Sequence, residues 1–271
     1  MTLDDFQPWL ERWRLTPDGA PFTTRFGSKL LAVRAGGAPA MLKIANGEEE
    51  RRGADILAWF AGEGAVRILA HDDPALLMER AAGPRSLAAM ARQGEDDEAM
   101  RILCRAAARL HEARTTPPPA SLVPLDIWFR DLPKAAAHRG GTFQASWAAA
   151  QVLLAQPRDV RPLHGDLHHD NVLDSGEGGW LAIDPKGLIG ETGFDYANMV
   201  GNPGIEVSGA PGVLARRMGI VCAETGFAPR RFLTWVLAWM GLSAAWTLDG
   251  GGDASPALEL ARLAQAELAK L

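Results

Sequence analysis

The stretch His164-Gly165-Asp166-Leu167-His168-His169-Asp170-Asn171, followed by Ile183-Asp184-Pro185, decides the fold of this chain. Asn171 lies five residues after the carboxylate of Asp166, and the carboxylate of Asp184 follows thirteen residues later, at the end of an apolar run. One carboxylate can accept the proton of an attacking hydroxyl, while an amide and a second carboxylate supply the hard oxygen ligands that Mg²⁺ prefers. The spacing predicts a kinase that uses ATP, with Asp166 as base and Asn171 and Asp184 as magnesium ligands.

Three histidines in the same stretch allow a different interpretation. His164, His168 and His169 lie beside carboxylates and could be transition-metal ligands, in which case the chain would be a dinuclear metal phosphoesterase. Such a site needs further ligands from distant segments, and none of the other three histidines lies in an Asp-x-His setting. The kinase interpretation is therefore favoured, and His164 is interpreted as a structural residue that braces the catalytic loop.

The first part of the chain predicts a small β-rich lobe. Residues 29–35 and 39–45, joined by a glycine pair, are typical of a β-hairpin. Residues 48–60 follow as an amphipathic helix and residues 75–79 as another strand. The lobe is expected to end near residue 82, so that 1–82 forms a nucleotide-binding lobe and 83–271 a helical lobe.

The second part of the chain is rich in predicted helices. They are expected over residues 96–114, over residues 126–156 with a break at Gly140-Gly141, and over residues 211–271 with breaks near Gly226 and Gly250. A short hairpin between Val172 and Ile183 would carry Asn171 at its entrance and Asp184 at its exit. The fold class that follows is α+β, with two lobes.

Composition limits the partners and the setting. The chain has 28 basic and 33 acidic residues and a net charge of −5, which favours neither nucleic acid nor an anionic membrane and is compatible with a cationic small molecule. Cys104 and Cys222 form no cysteine motif, and the acidic start lacks a signal-peptide pattern, so a cytoplasmic location is expected. The 17-residue apolar run 232–248 is short for a membrane span and is interpreted as a buried helix.

Lys43 is the candidate phosphate-binding lysine. It points to the strand face opposite Leu42 and Ile44, because side chains alternate along a strand, and Glu50 on the next helix is its candidate partner. A solvated lysine and a solvated acid of a charged run are the alternative. A glycine-rich phosphate loop is missing, since residues 23–29 contain one glycine, and phosphate contacts are expected from Gly27, Ser28 and backbone N–H groups.

The sequence resembles the aminoglycoside phosphotransferases, within them the streptomycin 6-kinase and hydroxyurea phosphotransferase branch. HGDLHHDNVL and IDPKGLIGETGFDYANMVGNP carry the resemblance, which continues through LTPDGAPFTTRFGSKLLAVR, PAMLKI, RRGADILAWFAGEGAVRILAH, LLMERA and GLSAAWTLDGG over nearly the whole chain. It implies a protein-kinase-like fold in which a hinge binds adenine through backbone groups. By this resemblance Asp166 is the base, and Asn171 and Asp184 bind Mg²⁺.

The resemblance implies further roles. Lys43 would contact the phosphates of ATP with Glu50 as its partner, and Glu79, Arg80 and Ala81 would form the hinge. Asp195 is interpreted as structural support for the catalytic loop rather than as a reactant. Lys186, directly after Asp184-Pro185, would either contact phosphate or pair with an acid.

The acceptor predicted from the resemblance is a hydroxyl of a streptomycin-like aminoglycoside, and the enzyme would then inactivate the antibiotic. Streptomycin carries guanidinium groups, so its pocket should present carboxylates, and Trp246 could stack on a flat cation. The candidate carboxylates in the helical lobe are Glu206, Glu224, Asp249 and Asp253. A kinase for hydroxyurea or another small hydroxyl compound is the second hypothesis. A catalytically silent nucleotide-binding scaffold is the third, and the presence of all four residues Lys43, Asp166, Asn171 and Asp184 argues against it.

Overall fold

The computed structural model describes residues 1–24 and 27–271, in which a β-sheet lobe precedes a helical lobe. Arg25 and Phe26, part of the predicted phosphate loop, lie outside the described residues. The strands are β1 (Leu15–Pro17), β2 (Phe22–Thr23), β3 (Lys29–Ala35), β4 (Ala38–Ile44), β5 (Ile68–Asp72), β6 (Ala75–Glu79), β7 (Val123–Pro124), β8 (Val160–Leu163), β9 (Val172–Asp174), β10 (Trp180–Ala182) and β11 (Leu188–Glu191). The helices are α1 (Gln7–Arg12), α2 (Glu48–Phe60), α3 (Leu87–Arg92), α4 (Asp96–His111), α5 (Leu125–Trp128), α6 (Leu132–Arg139), α7 (Gly141–Ala155), α8 (Gly193–Met199), α9 (Ile205–Ser208), α10 (Val213–Thr225), α11 (Pro229–Asp249) and α12 (Ser255–Leu268), with 3₁₀ turns at Leu3–Phe6, Phe129–Asp131 and Gly176–Gly178.

The small lobe is an antiparallel sheet with the strand order β1-β3-β4-β6-β5, in which β2 also pairs with β3. Leu42 and the neighbouring apolar residues of one face pack against Phe6 and Leu10 at the start of the chain. The opposite face carries Met41 and Lys43 towards α2, as the alternation of side chains predicts. The predicted hairpin and the predicted helix over 48–60 are confirmed, whereas β1, β2 and β5 were not predicted.

The large lobe packs around α11. Phe129, Phe194 and Trp235 are fully buried at its centre, with ring centroids 5.8 to 6.3 Å apart. The apolar run 232–248 lies within α11 and forms much of this core, so its interpretation as a buried helix is confirmed. Along the part of the chain that the structure describes, no helix has the length and apolarity needed to cross a bilayer.

Two short strand pairs hold the segments that contain the two sequence motifs. Strand β8 ends at Leu163, directly before the His164 stretch, and is antiparallel to β11. The hairpin of β9 and β10 begins directly after Asn171 and ends at Ala182, two residues before Asp184. The predicted hairpin with Asn171 at its entrance and Asp184 at its exit is therefore present, and it brings the ends of the two motifs together.

The segment that joins the lobes is tied to the large lobe by a buried carboxylate. Asp174, at the end of β9, accepts hydrogen bonds from the Arg85 guanidinium at 2.9 and 3.0 Å. Its backbone carbonyl accepts the N–H of Gly83 at 2.8 Å. The hydrogen bond with Arg85 holds the pKa of the Asp174 carboxyl well below its ordinary value. The expected lobe boundary at residue 82 falls in this segment, between β6 and α3.

A second buried carboxylate joins α4 to α10. Asp96, the first residue of α4, accepts hydrogen bonds from Nη2 and Nε of the fully buried Arg217 at 2.5 and 3.1 Å. Nη1 of Arg217 donates to the carbonyls of Val200 and Asn202 at 2.7 and 2.6 Å. Burial raises the pKa of Asp96, but the hydrogen bonds and the charge of Arg217 outweigh burial, and the pKa lies below its ordinary value.

Arg217→Met is expected to lower the free energy of unfolding by about 3 kcal/mol at pH 7, because the buried Asp96 carboxylate loses its buried partner and keeps only the more exposed Arg216, at 3.4 Å. The loss should shrink as the pH falls towards 4. Without Arg217, burial raises the pKa of Asp96, so the carboxyl is neutralised within this range. In the wild type the pair keeps its contribution above the unfolded pKa of 3.8 and loses it only as the pH falls below that value. Urea unfolding across this pH range measures both effects.

Arg262→Met is the matched control, because Arg262 pairs with Glu259 on the exposed face of α12. It should cost less than about 1 kcal/mol at every pH. Equal losses in the two variants, or a loss at Arg217 that grows as the pH falls, would contradict the assignment of a buried ion pair.

Candidate active site

The backbone of the catalytic loop is held by Asp195. This fully buried residue of α8 accepts the N–H of His164 at 2.9 Å and the N–H of Gly165 at 2.8 Å. Its Oδ2 also lies 2.9 Å from Nε2 of His111 on α4. Burial raises the pKa of Asp195, but the hydrogen bond with His111 and the neighbouring histidines outweigh burial and keep the pKa below its ordinary value. An ionised carboxylate therefore fixes the loop just before Asp166.

The ring of His164 links the two motifs. Its Nδ1 accepts the N–H of Asp166 at 3.2 Å, so the proton lies on Nε2, which donates to the carbonyl of Ile183 at 2.8 Å. Burial lowers the pKa of His164 and keeps the ring neutral. His164 thus connects the segment that carries Asp166 with the segment that carries Asp184.

Two amides position the carboxylate of Asp166. Asn198 donates through Nδ2 to Oδ1 at 3.1 Å, and Asn171 donates through Nδ2 to Oδ2 at 3.4 Å and to the Asp166 carbonyl at 2.8 Å. His168 lies close by, with Nε2 3.8 Å from Oδ1. The Asp166 side chain itself is partly exposed, so it is accessible from the cleft.

Asp184 lies across from Asp166 in a left-handed backbone conformation, with φ of 59°. A residue with a β-carbon adopts this conformation at a cost of about 1 kcal/mol or more, and such residues concentrate at functional sites. Lys43 forms ion pairs with both Asp184 and Glu50. Burial raises the pKa of Asp184, but the charges of Lys43 and Lys186 outweigh burial and keep it below its ordinary value.

Helix α2 approaches this segment closely. A β-carbon on Gly53 would lie 2.4 Å from the carbonyl oxygen of Pro185, so a side chain there would force the helix away. The close approach brings Glu50 to Lys43 and brings Glu49 to Lys186, whose Nζ lies 3.2 Å from Glu49 Oε1. Burial lowers the pKa of Lys186, but the carboxylates of Asp184, Asp166 and Glu49 outweigh burial and raise it above its ordinary value.

A cavity of about 330 Å³ lies between the sheet and the large lobe. Its apolar walls come from residues of both lobes, and its lining includes Met41, Leu76, Met78, Leu173 and Ile183. Lys43, Asn171 and Asp184 line the same cavity, together with all three predicted hinge residues, Glu79, Arg80 and Ala81. Ser28 is buried, and its hydroxyl has no hydrogen-bond partner among the described residues.

A second, more polar cleft of about 790 Å³ opens on the other side of Asp166. Trp128, Trp239 and Trp246 line it, and their rings meet edge to face at centroid distances of 5.2 and 5.8 Å. Asp131 in this wall accepts a hydrogen bond from Trp246 Nε1 at 3.0 Å. The lining also includes Glu48, Glu49 and Lys186.

The cleft does not include the carboxylates that the sequence suggested. Glu224 lies on α10 with its carboxylate 4.0 Å from Arg105, and Asp249 is exposed at the C-terminal end of α11. Glu206 pairs with Arg92, and Asp253 accepts the N–H of Ser255. None of these four acids lines this cleft, and their role in binding an acceptor stays a prediction. Trp246 does line the cleft.

The histidines of the catalytic stretch do not converge on one point. His164 donates to Ile183, His168 lies beside Asp166, and His169 is buried near Arg217, whose charge adds to burial in lowering its pKa to about 3. Within residues 1–24 and 27–271, no group of three His, Cys, Asp or Glu side chains is arranged to hold a metal ion. The arrangement gives no support to the dinuclear phosphoesterase.

Sequence reasoning missed several residues of the site. Asn198 lies one helical turn after Asp195 on α8, and this i, i+3 spacing could have suggested that both face the catalytic loop. Asp131, Trp128 and Trp239 carried no local signal, because separate helices bring them together. Glu49 belongs to a run of charged residues, which usually indicates a solvent-exposed face, so its contact with Lys186 was not predicted.

Comparison with known proteins identifies the family. Residues 12–251 match the model of a family described as aminoglycoside/hydroxyurea antibiotic resistance kinases. The chain belongs to this family. A streptomycin 3''-kinase of Klebsiella pneumoniae is 53% identical over 247 residues, which cover 89% of this chain and 92% of that protein. A streptomycin 6-kinase of Streptomyces griseus is 34% identical over 255 residues, which cover 89% of this chain and 81% of that protein.

A solved structure supports the fold independently. A choline/ethanolamine kinase family protein from Mesorhizobium loti superposes with a TM-score of 0.67 at 16% identity, over 100% of this chain and 97% of that one. The predicted α+β, protein-kinase-like arrangement of two lobes is confirmed, as are the resemblance and the prediction of a phosphotransferase that acts on hydroxyl groups. This aminoglycoside-kinase family member thus has one cavity lined by Asn171 and Asp184 and a second cleft lined by Asp166.

Gly165→Ala is expected to lower the free energy of unfolding by about 3 kcal/mol and to reduce turnover. Its backbone has φ of 85°, and a β-carbon would lie 2.8 Å from Leu188 and 3.1 Å from Cβ of Lys186, so backbone strain and overpacking add. Gly94→Ala is the matched control, because Gly94 has φ of 96° and open space around it. Its loss should be only about 1 kcal/mol. Urea unfolding of both variants measures the difference, and equal losses would contradict the close packing of Gly165.

Proposed function

We propose that this enzyme transfers the γ-phosphoryl group of ATP to a hydroxyl group of streptomycin or a close relative, and thereby inactivates the antibiotic. The tryptophan-lined cleft that opens onto Asp166, with the carboxylate of Asp131 in its wall, is the observation that carries this proposal. The name of the relative with 53% identity favours the 3''-hydroxyl as acceptor, whereas the sequence resemblance suggested the 6-kinase branch. The regiochemistry proposed is therefore the 3'' position.

The reaction uses Asp166 as general base. Asn198 and Asn171 hold its carboxylate by hydrogen bonds, so an oxygen can accept the proton of a hydroxyl that enters from the tryptophan-lined cleft. The neutral ring of His164 and the Asp195 carboxylate keep the loop in place and do not titrate during the reaction. The hydroxyl oxygen then attacks the γ-phosphorus, and ADP leaves.

The nucleotide would occupy the smaller cavity. The adenine would lie between the apolar walls and bind backbone groups of Glu79, Arg80 and Ala81, which line it. Lys43, held by Glu50, would contact the phosphates, and backbone N–H groups around Gly27 and Ser28 would cover them.

Asn171 and Asp184 would hold magnesium. The side-chain nitrogen of Asn171 donates to Asp166, which leaves the amide oxygen as a ligand, and the low pKa of Asp184 keeps that carboxylate ionised. Both residues line the nucleotide cavity, and their oxygens are the hard donors that Mg²⁺ prefers. When bound there, the ion would neutralise charge on the phosphates.

The wall formed by Asp131 and Trp246 would recognise a guanidinium group. The carboxylate of Asp131 can accept two parallel hydrogen bonds from a planar guanidinium, and the indole of Trp246 offers a face for the cation. Glu48 and Glu49 on the opposite wall are paired with Arg52 and Lys186, so the negative charge available to a cation comes mainly from Asp131. A cationic aminoglycoside therefore fits this cleft better than a small neutral acceptor does.

Phosphate transfer from ATP to streptomycin is the direct test. The wild type should yield streptomycin phosphate at the 3'' position, which NMR of the product identifies, and Asp166→Asn should lower kcat by about 10²–10⁴-fold with little change in ATP affinity. Phosphorylation of hydroxyurea but not of streptomycin would contradict the proposed acceptor. A product phosphorylated at position 6 would contradict only the regiochemistry.

Asp131→Asn should weaken streptomycin binding by roughly tenfold, because the amide keeps the bond to Trp246 but loses the charge that pairs with a guanidinium. Calorimetry in the presence of a non-hydrolysable ATP analogue measures the dissociation constant. Asp249→Asn and Glu224→Gln, which remove the same charge outside the cleft, should leave it unchanged. A loss shared by all three variants would indicate a long-range charge effect in place of a specific contact.

A further inference from the structure

Lys186 lines the tryptophan-lined cleft, and its ammonium group lies close to one carboxylate of each cleft. Its Nζ is 3.9 Å from Oδ2 of Asp166 and 3.9 Å from Oδ2 of Asp184, and 3.2 Å from Oε1 of Glu49. Asp166 lines the tryptophan-lined cleft and Asp184 lines the nucleotide cavity, so the ammonium group is beside the path between nucleotide and acceptor. Among basic side chains of the described residues, Lys186 alone forms ion pairs with both of these carboxylates.

The surrounding backbone fixes this position. The N–H of Lys186 donates to the carbonyl of His164 at 2.7 Å, which anchors the residue to the catalytic loop. The stem of Lys186 passes Gly165 so closely that a β-carbon there would lie 3.1 Å from Cβ of Lys186. The side chain is largely buried. These contacts fix the backbone and the base of the side chain, and the ion pair with Glu49 orients the ammonium group before any ligand binds. A charge placed in advance is the condition for stabilising charge that develops during a reaction.

Other cations near the site do not occupy this place. Lys43 is bound to Glu50 and Asp184 on the nucleotide side. Arg52 and Arg130 also line the tryptophan-lined cleft, but Arg52 pairs with Glu48 at the outer turn of α2 and Arg130 is exposed. Lys186 instead has a carboxylate of the tryptophan-lined cleft, a carboxylate of the nucleotide cavity and a glutamate of α2 around its Nζ, at 3.9, 3.9 and 3.2 Å.

We propose that Lys186 is a catalytic residue that binds a non-bridging oxygen of the phosphoryl group as that group moves from ATP to the acceptor. In this step a bond forms between the acceptor oxygen and the γ-phosphorus, and the bond from the γ-phosphorus to the β–γ bridging oxygen breaks. The hydroxyl proton passes to Asp166, and ADP leaves with the electron pair of the broken bond. Lys186 exchanges no proton; its charge offsets the negative charge on the moving group. The proposal rests on the proposed transfer from ATP and is independent of which hydroxyl accepts.

The test uses calorimetry without acceptor to compare the affinity for MgADP with the affinity for MgADP plus aluminium fluoride. Aluminium fluoride mimics the phosphoryl group in the transition state of its transfer. Lys186→Met should weaken binding of the aluminium fluoride complex by about 10²-fold, with less than about a threefold change for MgADP alone. In the phosphorylation assay kcat should fall by about 10²–10³-fold while the KM for ATP changes little, because the contact forms only in the transition state. Lys186→Arg should recover part of both losses, since it keeps the charge but alters the geometry.

Lys134→Met is the matched control, because Lys134 is an exposed lysine of α6. It should behave as wild type in every measurement. Equal weakening of MgADP and of its aluminium fluoride complex in Lys186→Met would assign Lys186 a structural role and overturn the proposal, as would an unchanged affinity for both. If Lys186→Met does not fold, Lys186→Gln makes the same comparison. Failure of the wild type to prefer the aluminium fluoride complex would instead contradict phosphoryl transfer itself.

Discussion

The hydrogen bonds to Asp195 are the constraint on which the site depends. A carboxylate with no exposed surface accepts two successive backbone N–H groups, from His164 and Gly165, and also binds His111 on a different helix. Backbone N–H groups of a loop have no partner of their own, and leaving them buried without one costs about 1–3 kcal/mol each. Because one residue of α8 accepts both N–H groups, the loop is fixed to that helix. Asp166 is the next residue of the loop, so its position is fixed as well.

From this anchor, the site is assembled by pairing charges across elements. Asp166 and Asp184 would repel each other, but two lysines lie beside them. Lys43 pairs with Asp184 and with Glu50 of α2. Lys186 pairs with both aspartates and with Glu49 of α2. Every charge is therefore balanced by at least one partner from another segment.

The sequence predicted the parts of the structure whose determinants are local. The hairpin β3–β4 was predicted from side-chain alternation and a glycine pair, and the helix α2 from its amphipathic pattern. The short hairpin between Asn171 and Asp184 was predicted from two short apolar runs separated by a glycine-rich turn. The N-terminal strands were missed because β1 and β2 are two or three residues long and carry too little pattern to detect.

The tryptophan-lined cleft could not be predicted from the sequence in the same way. Asp131 and Trp246 are 115 positions apart, and their hydrogen bond depends on how α11 crosses the 3₁₀ turn that precedes α6. Glu224 and Asp249 had the same charge and the same lobe, but composition does not specify which helix face an acid occupies. The direction in which a helix side chain points depends on how that helix packs against others. The sequence predicted the helices but not which of their faces pack together.

Two adjacent glutamates of α2 have a thermodynamic consequence. Glu50 binds Lys43 in the nucleotide cavity, and Glu49, the preceding residue, binds Lys186 in the wall of the other cleft. Since both side chains belong to one rigid helix seated on Pro185, a ligand that shifts the helix in one cleft changes the other. Linkage makes that coupling reciprocal: whatever factor the nucleotide imposes on acceptor affinity, the acceptor imposes on nucleotide affinity.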